Sequence, residues 1–439
     1  MVSPPVDPLL QSSKFPERVD VVIIGGGIIG ASAALTLAER GVSVALCEKG
    51  KVGGEQSSRN WGWVRKMGRD LREMPLAIES HKLWERLPER TGVDVGFRRN
   101  GILYLCASQE DMAKREKWLE QVRPFQIDTR LLGADDVARL LPGSSRRWAG
   151  ALYTASDGCA EPQHATPAIA NAAQRQGAHV LESCAVRGIE TEAGAVSGVV
   201  TERGTIRCSQ VVLAGGAWSG LFCGNLGIRF PQLHVLGCVL RTGPIEGGPM
   251  PAASGSDFAF RLRADGGYSV AQRSANVADI VPDSFRYFFD FLPTLIKDRH
   301  ELRLRFGRRF FEQWKTPRRW ALDRATPFEA VRTLDPEPSE SILAEGIRNL
   351  ARAFPAFQGA KTVSSWAGLM DATPDAVPVI SAVSSMPGFF LASGFSGHGF
   401  GIGPGAGQLT ADLVMGRSPV VDPAPYRFER FIQSPSQPA

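Results

Sequence analysis

The sequence predicts an α/β chain in which a parallel-stranded domain is completed by a second, α+β domain with a mainly antiparallel sheet. Three observations predict it. The apolar run Val21-Val22-Ile23-Ile24 leads into Gly25-Gly26-Gly27-Ile28-Ile29-Gly30, then an alanine-rich helical stretch from Ala31 to Arg40, then a second apolar run from Val42 to Cys47 that ends in Glu48. The middle of the chain carries strand-like runs at Phe230 to Thr242, Phe258 to Arg263 and Tyr268 to Gln272. Near the end, Phe389 to Ala392 leads into a glycine-rich turn and a helical stretch from Gly407 to Met415, so the chain leaves the first domain and returns to it.

Strand, glycine turn, helix, strand and acid, in that order, make a Rossmann-like dinucleotide-binding unit rather than a bare glycine motif. Gly25 permits the tight turn, Gly27 lets the backbone approach a pyrophosphate, and Gly30 lets helix and strand pack closely. Helix N-terminal amides and the helix dipole favour the phosphate charge, and Glu48 can accept both hydroxyls of a ribose. Beyond this unit, Leu76, Ile78, Leu83, Trp84 and Leu87 recur at helical spacing. Phe97 to Ala107 predicts a hairpin strand, Glu110 to Arg123 a charged amphipathic helix, and Ala134 to Leu141 a shorter helix ended by Pro142-Gly143. Thr166 to Gln176 predicts a helix, and short strands follow at His179 to Glu182, Val186 to Thr191 and Val196 to Glu202. Val211-Val212-Leu213-Ala214-Gly215-Gly216 is a buried strand running into a glycine turn. Ser284 to Arg318, rich in Phe and Arg, predicts a packed helix pair with a solvated edge rather than a binding surface.

This order divides the chain into a tail over 1–16, a discontinuous nucleotide domain over 17–95, 146–228 and 350–425, a substrate domain over 96–145 and 229–349, and a C-terminal tail over 426–439. A ligand site then falls between the two domains. The 439 residues are 43% hydrophobic and 22% charged, with a net charge of +5, a balance that argues for no nucleic-acid partner. No apolar run is long enough to span a membrane, and residues 1–18, with four prolines, lack the pattern of a secretory signal. The seven cysteines are scattered without CxxC spacing, so neither a metal site nor a disulfide framework is readable, and their odd count fits a reducing compartment. The expectation is a cytoplasmic protein, with peripheral membrane association left open.

Three segments together resemble the flavin-dependent D-amino-acid oxidase superfamily, which includes glycine oxidase, sarcosine oxidase and D-amino-acid dehydrogenase. The first is the nucleotide unit with Glu48, continued by Gly53-Gly54-Glu55-Gln56-Ser57-Ser58-Arg59-Asn60. The second is Ala160-Glu161-Pro162, then Val186 and Val199, ending in Val211 to Ser219. The third is Trp366-Ala367-Gly368-Leu369-Met370-Asp371-Ala372-Thr373-Pro374-Asp375, then Gly394-Phe395-Ser396-Gly397-His398-Gly399-Phe400. Arg59-Asn60 followed by Arg65 is similar to the β subunit of multimeric sarcosine oxidases, which leaves a hetero-complex or an oligomer open.

The resemblance implies FAD, held by Gly25, Gly27, Ile28, Ile29, Gly30, Glu48, Lys49, Gln56, Ser57, Ser58, Asn60, Trp61, Val186, Gly215, Trp218, Gly394, Gly397, His398 and Gly399. In that reading the serines bond the pyrophosphate or ribityl oxygens, the Val186 backbone pairs with adenine, and the Gly394–Gly399 turn sets amides against the pyrimidine edge of the flavin. The implied reaction is oxidation of the C–N bond of a D-amino acid, an N-alkyl amino acid or an opine-like amine, with oxygen, a quinone or a protein as electron acceptor. Oxidation of a hydroxy acid at a C–O bond is the alternative. Members of this superfamily often carry an arginine that grips the substrate carboxylate directly after the Trp-x-Gly-Leu segment; here Met370 stands there, so another cation supplies the contact or the substrate lacks a carboxylate at that place. Arg65, Arg261, Tyr268 and His398 are the expected active-site residues, with Arg261 and Arg263 on one face of their strand. Sarcosine-oxidase-like members use a lysine near the flavin to activate oxygen; Tyr268 to Arg273 contains none, which leans the reading towards a dehydrogenase.

Overall fold

The computed structural model describes residues 4–298 and 302–432. Val21–Ile24 lies inside a six-stranded sheet ordered Val379–Ala382, Phe389–Ser393, Gln210–Leu213, Val21–Ile24, Val44–Cys47, His179–Leu181. All neighbours run parallel except the pair at the Val379 edge. Every residue of Val21–Ile24 is buried, as a parallel strand covered on both faces requires. Its side chains divide by the period of two. Val21 and Ile23 join one core beneath helices Ile28–Glu39, Met74–Thr91, Pro162–Arg175 and Gly399–Val414. Val22 and Ile24 join another beneath a small antiparallel sheet of Val186–Glu192, Ala195–Thr201 and Gly204–Arg207.

The second sheet has ten strands among the described residues. Its order is Leu302–Arg305, Asn276–Asp279, Leu233–Thr242, Tyr268–Ala271, Ala259–Leu262, Ala252–Ser254, Ile102–Cys106, Gly150–Thr154, Thr129–Gly133, and Thr362–Ala372 pairs along Leu233–Thr242. Two of these strands fall in spans that the sequence suggested for the nucleotide domain. Gly150–Thr154 pairs instead with Ile102–Cys106, and Thr362–Ala372 pairs over its whole length with Leu233–Thr242. Strand propensity is visible in a sequence, but the partner strand is a long-range choice.

Leu233–Thr242 faces two environments. Leu236, Cys238 and Leu240 pack against Ile342, Leu343, Leu350 and Phe354 in the core of this half. Leu233, Val235, Gly237 and Val239, on the opposite face by the period of two, line a cavity. The segment read as a helix pair is more broken than expected: helices Pro282–Arg286 and Phe288–Asp298, strand Leu302–Arg305, then helix Arg308–Lys315. Its aromatic residues are largely exposed rather than packed.

Candidate active site

Two cavities meet at Gln56, which lines both. The smaller, about 120 Å³, is walled by Gly25, Gly27, Glu48, Lys49, Ser57, Val186, Gly215 and Trp218. The larger, about 760 Å³, lies against the large sheet and is walled in part by Asn60, Trp61, Arg65, Arg69, Met370, Gly397 and His398.

In the smaller cavity the glycine turn keeps its backbone bare. Gly25 has φ +110°, and a Cβ there would overlap the Ala214 carbonyl oxygen. A Cβ on Gly30 would overlap the Gly25 carbonyl oxygen. Gly30→Ala is therefore expected to cost about 1–3 kcal/mol by overpacking and to lower the flavin bound per mole of protein, read from denaturation midpoint and flavin absorbance together. The Glu48 carboxylate accepts the Gly26 and Gly50 amides, each at 2.7 Å, and burial raises its pKa despite those bonds. Ser57 Oγ accepts the Ile28 amide at 2.9 Å. Lys49 Nζ is held by Glu55 at 2.6 Å and by the Val331 and Arg332 carbonyls at 2.9 and 3.0 Å, and it sits 4.6 Å from the Trp218 ring centroid. Its charge is thus matched within the protein. Gln56 Oε1, at the junction, is buried without a partner. A bare glycine turn, an acid at the strand end and an unpartnered amide oxygen between the cavities fit an extended dinucleotide.

The other residues expected at the cofactor do not all reach these cavities. Ile28, Ile29 and Gly30 are buried in the first turn of their helix. Ser58 is fully buried and donates to the Glu55 carbonyl at 3.1 Å. Gly394 and Gly399 line neither cavity, and only Ser396, Gly397 and His398 of that turn face the larger one. Asn60 braces its own loop, accepting the Gly62 amide at 2.7 Å and donating to the Ser57 carbonyl at 2.9 Å. Trp61 lines the larger cavity, edge-on to Trp63.

In the larger cavity, Arg65 donates to the Met67 carbonyl and lies 5.8 Å from the Tyr104 ring centroid. Arg69, one helical turn's spacing later in sequence, is 3% exposed. Its Nε donates to the Arg65 carbonyl at 3.3 Å and one terminal nitrogen to the His398 carbonyl at 3.5 Å; the other, Nη1, has no partner. Burial and the neighbouring Arg65 pull its pKa down to about 10, so it remains a cation at neutral pH. The stretch that carries both arginines is pinned from behind. Asp157 accepts the Lys66 and Met67 amides at 2.9 and 3.1 Å, and burial pushes its carboxyl up to about 6. His398 Nδ1 lies 3.0 Å from the Glu73 carboxylate, and burial holds the imidazole below its ordinary pKa. Met370 pairs with Val235 across the two strands and lines the cavity, while the next residue, Asp371, turns away and accepts the Gly394 amide at 2.7 Å.

Arg261 and Tyr268 do not line either cavity. Arg261 is 1% exposed and spends its guanidinium on Glu161, at 2.8 and 3.0 Å, and on the Trp61 carbonyl at 2.6 Å. Tyr268 packs against Phe357 and donates to the Pro249 carbonyl at 3.1 Å. The period of two put Arg261 and Arg263 on one face, but the Glu161 loop closes that face. Arg69 and Asp157 carry no motif, and Asp371 stands in the Trp366–Asp375 segment without a role assigned to it. The one available signal was the second arginine four residues after Arg65.

Residues 20–413 match the family described as FAD dependent oxidoreductase (DAO). Glycine oxidase of Pseudomonas putida is 27% identical over 417 residues, 92% of this chain and 97% of its own. Sarcosine oxidase subunit beta of an Arthrobacter species is 25% identical over 94% of this chain and 91% of its own. Among solved structures, L-amino acid deaminase from Proteus myxofaciens in complex with anthranilate superposes with a TM-score of 0.94 at 34% identity, covering 98% of each chain.

Proposed function

Because the chain belongs to the FAD dependent oxidoreductase (DAO) family, we propose that it oxidises the C–N bond of an amino acid whose carboxylate is gripped by Arg69, with Arg65 beside it. The observation that carries this reading is Arg69 Nη1: a buried guanidinium nitrogen with no partner, on the wall of a cavity where Met370 offers no cation. An unpaired donor of this kind costs free energy unless a ligand meets it. The likeness to a deaminase bound to anthranilate, itself an amino carboxylate, supports the substrate class.

A bound FAD would supply the two-electron acceptor for the hydride of the substrate Cα–H bond; the nitrogen gives up a proton, and water hydrolyses the resulting imine. Gly25, Gly27, Ser57 and Glu48 would hold its ADP half, the Val186 backbone its adenine, Gln56 the middle, and the Gly397 and His398 backbone the flavin edge. The chain's own task is then orientation and exclusion of water. Arg69 and Arg65 fix the carboxylate end. Trp61, Trp63, Phe285, Phe288 and Phe291 give the larger cavity an apolar wall suited to a bulky side chain. Met370 keeps the strand end apolar. The Glu73 carboxylate orients the His398 imidazole, which burial keeps neutral. No lysine is among the described residues lining the larger cavity, which favours an acceptor other than oxygen.

Anaerobic mixing of the flavin-loaded protein with a substrate panel tests this reading. Bulky apolar amino acids, in one enantiomer, are expected to bleach the flavin; phenethylamine, lacking the carboxylate, and phenyllactate, lacking the nitrogen, are expected to leave it oxidised on the same timescale. A flavin reduced by phenyllactate and untouched by every amino acid would overturn it.

A further inference from the structure

We propose that residues 320–335 form a latch over the ADP half of the cofactor site, so that a segment of the opposite half of the molecule retains the dinucleotide. The inference rests on the ADP half lying in the smaller cavity. The segment runs between helix Arg308–Lys315 and helix Glu340–Ala353, and Ile342, Leu343 and Leu350 of the latter belong to the core of the large sheet. It nevertheless crosses to the smaller cavity. Phe328, on the short helix Pro327–Ala330, is 4% exposed and lines that cavity with Trp218 and Phe222. Its ring centroid lies 5.7 and 5.9 Å from theirs, and Trp320 of the same segment meets it at 5.3 Å.

Polar bonds fasten the segment to the nucleotide half. Arg187, on strand Val186–Glu192, donates to both oxygens of Glu329 at 2.9 and 3.0 Å, and its carbonyl accepts Trp320 Nε1 at 2.7 Å. Arg332 donates both terminal nitrogens to the Glu202 carboxylate, and one of them also to the Lys49 carbonyl at 3.1 Å. Glu55 accepts the Leu334 amide at 2.9 Å. Lys49 and Glu55 are themselves walls of the cavity, so the Lys49 bonds to the Val331 and Arg332 carbonyls belong to the latch as much as to the site. The approach is close: a Cβ on Gly50 would overlap the Arg332 carbonyl oxygen.

Such a fastening can open. The segment carries no strand and a single helix of four residues, so no sheet ladder holds it. Its grip is the Phe328 ring and two ion pairs that reach solvent. Ion pairs at the water boundary each contribute little and are screened by salt. A dinucleotide beneath the segment favours the closed position, and by linkage the closed position favours the bound dinucleotide.

Release of FAD from the loaded protein into flavin-free buffer, followed by free-flavin fluorescence, tests the proposal with no substrate present. Wild-type release is expected to quicken about threefold between about 0.05 and about 0.5 M sodium chloride. Glu329→Gln keeps the acceptor that caps the short helix and removes the charge, so it should release FAD about fivefold faster at low salt and lose most of the salt dependence. Hydrogen exchange on the unsubstituted protein gives a second reading. The amides of residues 329–334 are expected to exchange about tenfold more slowly with FAD at about ten times its Kd than in FAD-free protein. Those of helix Ala134–Leu140, which lines neither cavity, should change far less. Release indifferent to both salt and Glu329→Gln, or latch amides that FAD leaves unprotected, would overturn the proposal. Glu48→Gln separates the latch from its premise. Faster release in Glu48→Gln with none in Glu329→Gln overturns the latch alone, and no effect of either overturns the placement of the ADP half as well.

Discussion

Glu161→Gln is expected to destabilise the protein by about 3–5 kcal/mol, the cost of leaving a buried cation without its partner. Glu161 takes both ends of Arg261, accepts the Ala264 amide at 2.9 Å, and lies 3.4 Å from Arg263. The pair joins the start of helix Pro162–Arg175 to the strand Ala259–Leu262 of the large sheet, tying the two halves of the fold together. A urea titration at neutral pH reads the loss directly. A second signature separates it from general damage. Burial raises the Glu161 carboxyl, but the hydrogen bonds and charge of Arg261, with Arg263 and the Ala264 amide, outweigh burial and bring it down to about 2. A carboxyl depressed in the folded state stabilises fully above its unfolded value, and that stability drains away as pH falls from about 4.5 towards 2, here by about 3 kcal/mol. The glutamine variant should lack that acid-dependent loss. If wild type and variant lose stability in parallel through this range, the pair is not what ties the halves together.

Arg69→Met should lower kcat/KM for the best amino acid by roughly a hundredfold, the equivalent of a charge-assisted hydrogen bond to a carboxylate. Methionine fills the same buried volume without a donor, so the fold is expected to stand and flavin content to hold. The discriminating measurement pairs anaerobic flavin reduction by an amino acid with the far slower reduction, followed over a longer time, by the amine that lacks its carboxylate. The loss should fall on the amino acid, mostly through KM, and leave the amine unchanged. Arg69→Lys should recover part of the affinity, because one point charge replaces a two-pronged donor. An equal loss for both substrates would show that Arg69 serves the fold and not the ligand.

The nucleotide unit was legible because its constraints are local. Gly25, Gly30 and Glu48 are required by backbone geometry within a single strand–helix–strand, and each stands where the sequence implied. Arg65 and His398, both expected at the active site, line the larger cavity. Arg261 misled because a strand's alternation says which residues share a face, not what covers it; Glu161, a hundred residues earlier, covers it. Arg69 stayed hidden for the opposite reason. An arginine is normally a surface residue, and only the fold reveals one buried with an idle nitrogen. The Phe-rich segment was misread in the same way, since burial was inferred from composition and the rings turned out to face solvent.

Met370 and Asp371 are neighbours on one strand and face opposite ways. Asp371, buried, holds the Gly394 amide and the Ser393 hydroxyl at 2.7 and 3.2 Å and so fixes the glycine-rich turn. Met370 fronts the cavity and seats its sulfur against Gly397 of the same turn. Both neighbours therefore bear on one turn, one from its buried side and one from the cavity. Any exchange at residue 370 reshapes the cavity wall and the seat of Gly397 together, so a laboratory library at that position is to be read for flavin content as well as for substrate.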